Sequence, residues 1–378
     1  MTQSKTNRYI ALDVLRGMTV AGMIMVNNPG SWAHVFPPLR HAAWNGCTPC
    51  DLVFPFFLFC VGTAMAFSFS KYKEGLNGQS IKKILVRGIL IFLVGLGLNT
   101  FPFFPLYPQE SLTFGENYVH WLQNIRIMGV LQRIAICYVI GGILALWLNT
   151  AKRIIIGMCS LLAIHSAISI IFGGSDWSTL QGNITAHIDI AIFGENHLYH
   201  GYEGLPFDPE GLLGSISGAG TVLLGFLIGQ TIQKTPSKID VVAKLYTLGL
   251  IFLGLGCIMS IWIPINKSLW SSSYVFYTGG WATTMLSLFI YFIDVKEKAK
   301  PFTVFKALGM NPLFLFVLAG LIARIFGKLG ILSWFYNNCC VSIFGNNQFG
   351  SLFYALVFVG VFCLTGLWLY RKKIVIKL

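Results

Sequence analysis

Apolar residues along this chain come in long blocks divided by short polar stretches. A helix needs roughly 20 predominantly apolar residues to cross a bilayer core of about 30 Å. Ten blocks reach that length: about 9 to 27, 52 to 70, 81 to 99, 125 to 148, 153 to 172, 211 to 231, 242 to 263, 274 to 293, 303 to 325 and 350 to 370. The pattern predicts an all-α, polytopic transmembrane bundle of about ten helices. Residues 329 to 345 differ, because the Ile331 to Val341 stretch is short and broken by Asn337 and Asn338. That piece reads as re-entrant or interfacial. Two long polar stretches, about 100 to 124 and 173 to 210, are rich in Pro, Gly, Asn, His and aromatics. They read as lid loops over a pocket, within one membrane domain covering residues 1 to 378.

Composition strengthens the class. Hydrophobic residues make up 55% of the 378 and charged residues 11%, where a soluble domain carries roughly 25% charged. The net charge of +13 is explained by topology and needs no nucleic-acid partner. With the N-terminus inside, most Lys and Arg fall in cytoplasmic segments, among them Lys5, Arg8, Lys71, Lys73, Lys82, Lys83, Lys152, Arg153, Lys234, Lys238, Arg371, Lys372 and Lys377. The opposite loops hold Arg40, Lys267 and Lys328 and are otherwise acidic, with Asp176, Asp189, Glu195, Glu203, Asp208 and Glu210. Both termini come out cytoplasmic. The first block is interrupted by Asp13 and Arg16 and lacks a small-residue cleavage site, so it reads as a retained helix.

Ionisable groups inside a membrane are costly and are kept for pairing or for function. Asp13 and Arg16, three residues apart on the first helix, suit either an internal ion pair or a cofactor contact. Arg133, beside Gln132, has no local acid and reads as functional or site-organising, whereas Arg87 is placed to snorkel to the surface. His165 is alone on an apolar helix and reads as a hydrogen-bonded core residue. His197 and His200 lack a third ligand at metal-site spacing, so no metal is expected there. His41 stands apart: Trp44, Asn45 and Asp51 crowd around it just before a helix begins, and imidazole can take and return a proton near neutral pH. Cys47-Thr48-Pro49-Cys50 and Cys339-Cys340, both on the outer face, offer a thiol-disulfide reading, with a structural disulfide or free thiols as the plainer one.

Several motifs, in order, resemble the heparan-α-glucosaminide N-acetyltransferase family of membrane acyltransferases. They are Arg16-Gly17, Val26-Asn27, His41-Ala42-Ala43-Trp44-Asn45-Gly46 and Asp51-Leu52-Val53-Phe54-Pro55, then Gly129-Val130-Leu131-Gln132-Arg133 and Asp208-Pro209-Glu210-Gly211-Leu212-Leu213-Gly214. Pro264-Ile265-Asn266-Lys267-Ser268-Leu269-Trp270-Ser271, Ser273-Tyr274-Val275 and Gly309-Met310-Asn311 complete the series. Cys47 and Cys50 are outside the family pattern and so are expected to be incidental. Lysosomal members carry an extra N-terminal lumenal domain and one more preceding helix; their absence from this sequence points to a bacterial relative in the cytoplasmic membrane, its outer face periplasmic.

The resemblance implies transfer of the acetyl group of cytoplasmic acetyl-CoA to the amine of a terminal glucosamine-type sugar, free or part of a glycosaminoglycan fragment. His41 would act as general base or as transient acetyl carrier. Asn27 would donate to the developing oxyanion, and Asn45 and Asp51 would fix the imidazole tautomer and loop shape. Acceptor contacts are expected from Trp44, Asp208, Glu210, Asn266 and Lys267, although Asp208 and Glu210 also suit a helix N-terminus. Contacts to the anionic donor are expected from Arg16, Arg87, Gln132, Arg133 and Asn311. Small-residue pairs such as Gly95 and Gly97 permit a homodimer. An amino-sugar transporter on the same scaffold and a thiol-disulfide membrane protein are the competing readings.

Overall fold

In the computed structural model, each of the ten apolar blocks is occupied by helix over most of its length. The structure describes residues 9 to 376 apart from 71, 73, 74, 106 to 108 and 203. Lys5, Arg8, Lys71, Lys73, Lys377 and Glu203 of the charge pattern lie outside the described residues. The helices are α1 (Ile10–Asn27), α2 (Val53–Phe69), α3 (Gly78–Thr100), α4 (Phe114–Gln123), α5 (Val130–Leu148), α6 (Ala151–Gly173), α7 (Ile184–Phe193) and α8 (Leu212–Lys234). They continue with α9 (Lys238–Met259), α10 (Ser272–Phe289), α11 (Thr303–Met310), α12 (Pro312–Lys328), α13 (Ile331–Phe335), α14 (Val341–Phe344) and α15 (Gln348–Arg371). Among the described residues there is no strand, only an isolated bridge between Tyr202 and Leu205. The two long polar stretches contain α4 and α7.

Among the described residues, seven helices are long and apolar enough to cross a membrane: α1, α2, α5, α6, α8, α9 and α15, with α11 and α12 an eighth if that pair, bent by 75°, is one span. By length and composition, seven or eight of the expected ten spans are supported. Outside that set lie α3, whose first half carries Lys82, Lys83 and Arg87, and α10, which buries Ser272, Ser273, Thr278, Thr283, Thr284 and Ser287. Outward faces are apolar all the same. Ile155, Ile156, Ile164 and Ile171 on α6, and Leu250, Ile251, Leu255 and Ile258 on α9, are exposed, a surface that fits lipid and not water. The Ile331–Phe344 piece is apolar but short: its 14 residues rise roughly 21 Å.

Packing relies on small residues that let backbones touch, as it does in membrane bundles generally. A Cβ on Gly17 of α1 would lie 1.7 Å from the carbonyl oxygen of Phe305, and one on Gly309 would lie 1.8 Å from that of Asp13, so α1 and α11 cross in direct backbone contact. The pair α2 and α8 does the same through Gly62 and Gly225, whose added Cβ atoms would sit 1.9 Å from the carbonyl oxygen of Val222 and 2.2 Å from that of Phe59. α8 is the most buried of the long helices. The α11–α12 break is pinned by Asn311, which accepts from Ile376 N at 2.7 Å and donates to the Ile374 carbonyl at 2.9 Å.

Candidate active site

The loop between α1 and α2 carries His41, and a helical turn, Pro49–Leu52, leads into α2. Asp51 in that turn points back at the loop. Its Oδ2 accepts from Ala42 N at 3.0 Å, Thr48 N at 3.1 Å and Thr48 Oγ1 at 3.1 Å, and its Oδ1 lies 2.6 Å from His41 Nδ1. The carboxylate is 1% exposed and the imidazole 43%. A buried acid thus holds a ring that opens to solvent. With Nδ1–H donated to Asp51, Nε2 carries the free lone pair, the tautomer a general base or nucleophile needs.

A second loop, between α9 and α10, closes over the first. Gly46, at φ +111°, lets its N–H donate to the Ile265 carbonyl at 2.7 Å, and Asn266 Nδ2 donates to Asn45 Oδ1 at 3.1 Å. Asn266 Oδ1 in turn accepts from Leu269 N at 2.8 Å. These bonds place Lys267 Nζ 3.0 Å from His41 Nδ1 and 3.4 Å from Asp51 Oδ1. From α10, the Tyr274 hydroxyl donates to the Asp51 carbonyl at 2.6 Å. Asn45, Asn266, Lys267, Asp51 and His41 are therefore one connected group. Asn27 is not in it: it is exposed at the end of α1, and among the described residues no hydrogen bond joins it to His41.

Further along the His41 loop, Ala43, Trp44 and Asn45 line an open cleft of about 360 Å³ together with Ser178, Thr179, Leu180, Gln181 and Tyr202. Trp44 donates from Nε1 to the Ser178 carbonyl at 2.6 Å and packs edge-on against Tyr202 and Phe207. Asp208 and Glu210, expected to face an acceptor amine, are instead claimed by Arg126. That guanidinium meets Asp208 at 2.8 Å through both Nε and Nη2 and Glu210 at 2.6 Å, while stacking 4.8 Å from the Tyr199 ring. Burial acts against the Arg126 charge, but hydrogen bonds and attraction from the two acids outweigh it and raise the guanidinium pKa. His197 and His200 bond to the carbonyls of Ile125 and Leu198. Asp189, buried on α7, accepts from Leu212 N at 3.0 Å, and burial raises its pKa to about 6.

The expected donor-binding residues separate into two groups. Arg133 is fully buried one turn into α5, donates to the Gly211 carbonyl at 3.0 Å and stacks 5.0 Å from the Trp270 ring. Trp270 packs against Tyr274, so Arg133 underlies the His41 group. Gln132 donates to the Ile127 carbonyl at 2.9 Å, at the same end. His165 is buried nearby, yet neither ring nitrogen has a hydrogen-bond partner among the described residues.

Arg16 lies toward the other end of the bundle. It lines a cavity of about 690 Å³ with Tyr9, Asp13, Cys60, Thr63, Gln233 and Thr235, and a neighbouring one of about 250 Å³ that Arg87 also lines. Arg16 is held by Asp13 at 2.8 Å and by the Gly309 carbonyl, and Arg87 stacks 5.2 Å from the Tyr138 ring. Asn311 lines neither cavity.

Three participants were not legible as site residues. Tyr274 stood inside a quoted motif without a role. Arg126 stands outside every quoted motif. Cys50, read as incidental, has its sulfur 3.1 Å from His41 Nδ1.

Residues 8–190, a stretch that includes His41 and Asp51, match the family model described as heparan-alpha-glucosaminide N-acetyltransferase, catalytic. Over that stretch the chain is similar to this family. Heparan-alpha-glucosaminide N-acetyltransferase of Mus musculus is 26% identical over 369 residues, covering 83% of this chain and 54% of its own. The protein of the same name from Homo sapiens is 26% identical over 364 residues, covering 82% and 52%. The chain spans about half the length of the curated relatives it matches. Lys267 and Tyr274 lie beyond the stretch matched by the family model, within the reach of the longer pairwise similarity.

Proposed function

We propose that this protein is a membrane N-acetyltransferase that moves the acetyl group of acetyl-CoA to the amine of a terminal glucosamine-type sugar. The observation that carries the reading is the Asp51-held imidazole of His41, open to solvent on the loop whose Trp44 lines an aromatic cleft. As general base, Nε2 takes a proton from the attacking amine; the amine nitrogen bonds to the acetyl carbon, the carbon–sulfur bond breaks, and CoA thiolate leaves to be protonated. As carrier, Nε2 itself takes the acetyl group before the amine does. Lys267, 3.0 Å from the ring, is better placed than Asn27 to stabilise the oxyanion. Trp44 and Tyr202 offer the cleft a sugar-facing aromatic wall.

The donor enters from the opposite end in this reading, where Arg16 lines the cavity of about 690 Å³, Arg87 joins it around the neighbouring one of about 250 Å³, and the Lys-rich segments lie. In this reading that end is cytoplasmic, as the positive-inside rule favours, and His41 faces the opposite, periplasmic side. Cys60, which lines the cavity, lies nine residues along from Asp51, roughly 14 Å of helix. Purified protein given radiolabelled acetyl-CoA and glucosamine tests the reading. Labelled N-acetylglucosamine is the expected product, and its absence with free and glycosaminoglycan-derived amino sugars alike contradicts it.

A further inference from the structure

Cys50 brings a sulfur to a group already rich in metal-ligating atoms. One donor atom each of His41, Cys50 and Asp51 can be chosen so that all lie within 4.8 Å of one another. Sγ is 3.1 Å from Nδ1 and 3.7 Å from Nε2, and Nδ1 is 2.6 Å from Oδ1. Bonds of about 2.0–2.3 Å to a tetrahedral metal space its donors roughly 3.2–3.7 Å apart, so only small side-chain movements separate this cluster from a ligand set.

Two further features favour a cation here. Asp51 is oriented by three bonds to its other oxygen, the kind of outer support that holds a ligating carboxylate in place. The space between imidazole and carboxylate already attracts a positive group, the Lys267 ammonium, 3.0 Å from Nδ1 and 3.4 Å from Oδ1. The exposed side of His41 leaves room for water as a fourth ligand.

The geometry points to a binding site for a thiophilic divalent cation of the Zn²⁺ class at His41, Cys50 and Asp51, in competition with the Lys267 ammonium. One sulfur, one imidazole nitrogen and one carboxylate oxygen suit Zn²⁺ or Co²⁺ and not Ca²⁺ or Mg²⁺. On binding, the Cys50 thiol gives its proton to solvent, the Nδ1 proton is lost as the ring takes the tautomer protonated at Nε2, sulfur–metal and Nδ1–metal bonds form, and Lys267 swings out. If the acetyl-transfer reading is right, the metal also occupies the imidazole needed for transfer and inhibits reversibly. Only that consequence rests on the proposed function.

The test reads metal binding without any acetyl transfer. Co²⁺ is titrated into the purified full chain, and the thiolate-to-cobalt charge-transfer absorbance is followed, with Zn²⁺ as competitor. Wild type is expected to bind one Co²⁺ with this band and to lose it to Zn²⁺. Cys50→Ser should abolish the band and weaken binding by roughly 100-fold or more, and Cys47→Ser should leave both unchanged. Lys267→Met should tighten binding about 10-fold, a direction that misfolding does not mimic. No band in wild type, a band that survives Cys50→Ser, or weaker binding in Lys267→Met overturns the proposal.

Discussion

Oδ1 of Asp51 lies 2.6 Å from Nδ1 of His41, while its Oδ2 is committed to Ala42 and Thr48. The acid is thereby fixed by the backbone and cannot turn away from the ring. Asp51→Asn keeps the shape, but its amide faces Nδ1 as a donor and imposes the opposite tautomer, removing the lone pair from Nε2. The expected outcome is a fall in kcat of about 100-fold or more with little change in KM for acetyl-CoA. Steady-state kinetics on the purified variant check it, and an equal change in KM alone would contradict the assigned role.

Arg126 joins the loop before α5 to the segment leading into α8 through Asp208, which is wholly buried, and Glu210, which is nearly so. Arg126→Met leaves two carboxylates without their cation. Removing one partner of such a pair costs about 3 kcal/mol. Thermal unfolding in detergent should show a clearly lowered midpoint, whereas Glu210→Gln, which spares the Asp208 fork, should cost less.

Backbone contact between α1 and α11 makes Gly309 intolerant. Its added Cβ would stand 1.8 Å from the Asp13 carbonyl oxygen, while one on Gly360 of α15 meets nothing within 4 Å. Gly309→Ala is expected to destabilise by about 2–3 kcal/mol and Gly360→Ala to be neutral or mildly stabilising. Because the Gly309 carbonyl also holds Arg16, the first variant should raise KM for acetyl-CoA as well.

Asp189 supplies a pH dependence of stability. Burial raises its pKa to about 6, from an ordinary 3.8, so between those values the folded chain binds more protons than the unfolded one. Its contribution therefore falls as pH rises from about 4 to 6 and is flat above. Asp189→Asn removes this slope. Relative to wild type it should gain of the order of 3 kcal/mol at pH 7 and nothing at pH 4, as read from denaturation midpoints at the two pH values.

Much of the fold was legible because membrane helices announce themselves by length and apolarity alone, and all ten blocks are helical. The span count was less legible. α10 is a buried helix that trades apolar residues for Ser and Thr bonded to backbone carbonyls, and α11–α12 breaks at Asn311 for tertiary reasons that a hydropathy profile cannot hold. At the site, His41 and Asp51 are ten residues apart and their pairing could be anticipated. Lys267 and Tyr274 reach them from more than 220 residues away. The two-sided placement of Arg133 and Arg16 was likewise hidden, since a charge in an apolar helix reveals depth and not the end of the bundle it serves.

Acetyl transfer across the bundle is tested most directly in sealed proteoliposomes of uniform orientation, with radiolabelled acetyl-CoA on the Arg16 side and glucosamine on the His41 side. Wild type should deliver labelled N-acetylglucosamine to the His41 side, and His41→Ala should lower that rate by about 100-fold or more. Transfer in His41→Ala at the wild-type rate, or product formed only when donor and acceptor share one side, would contradict the account.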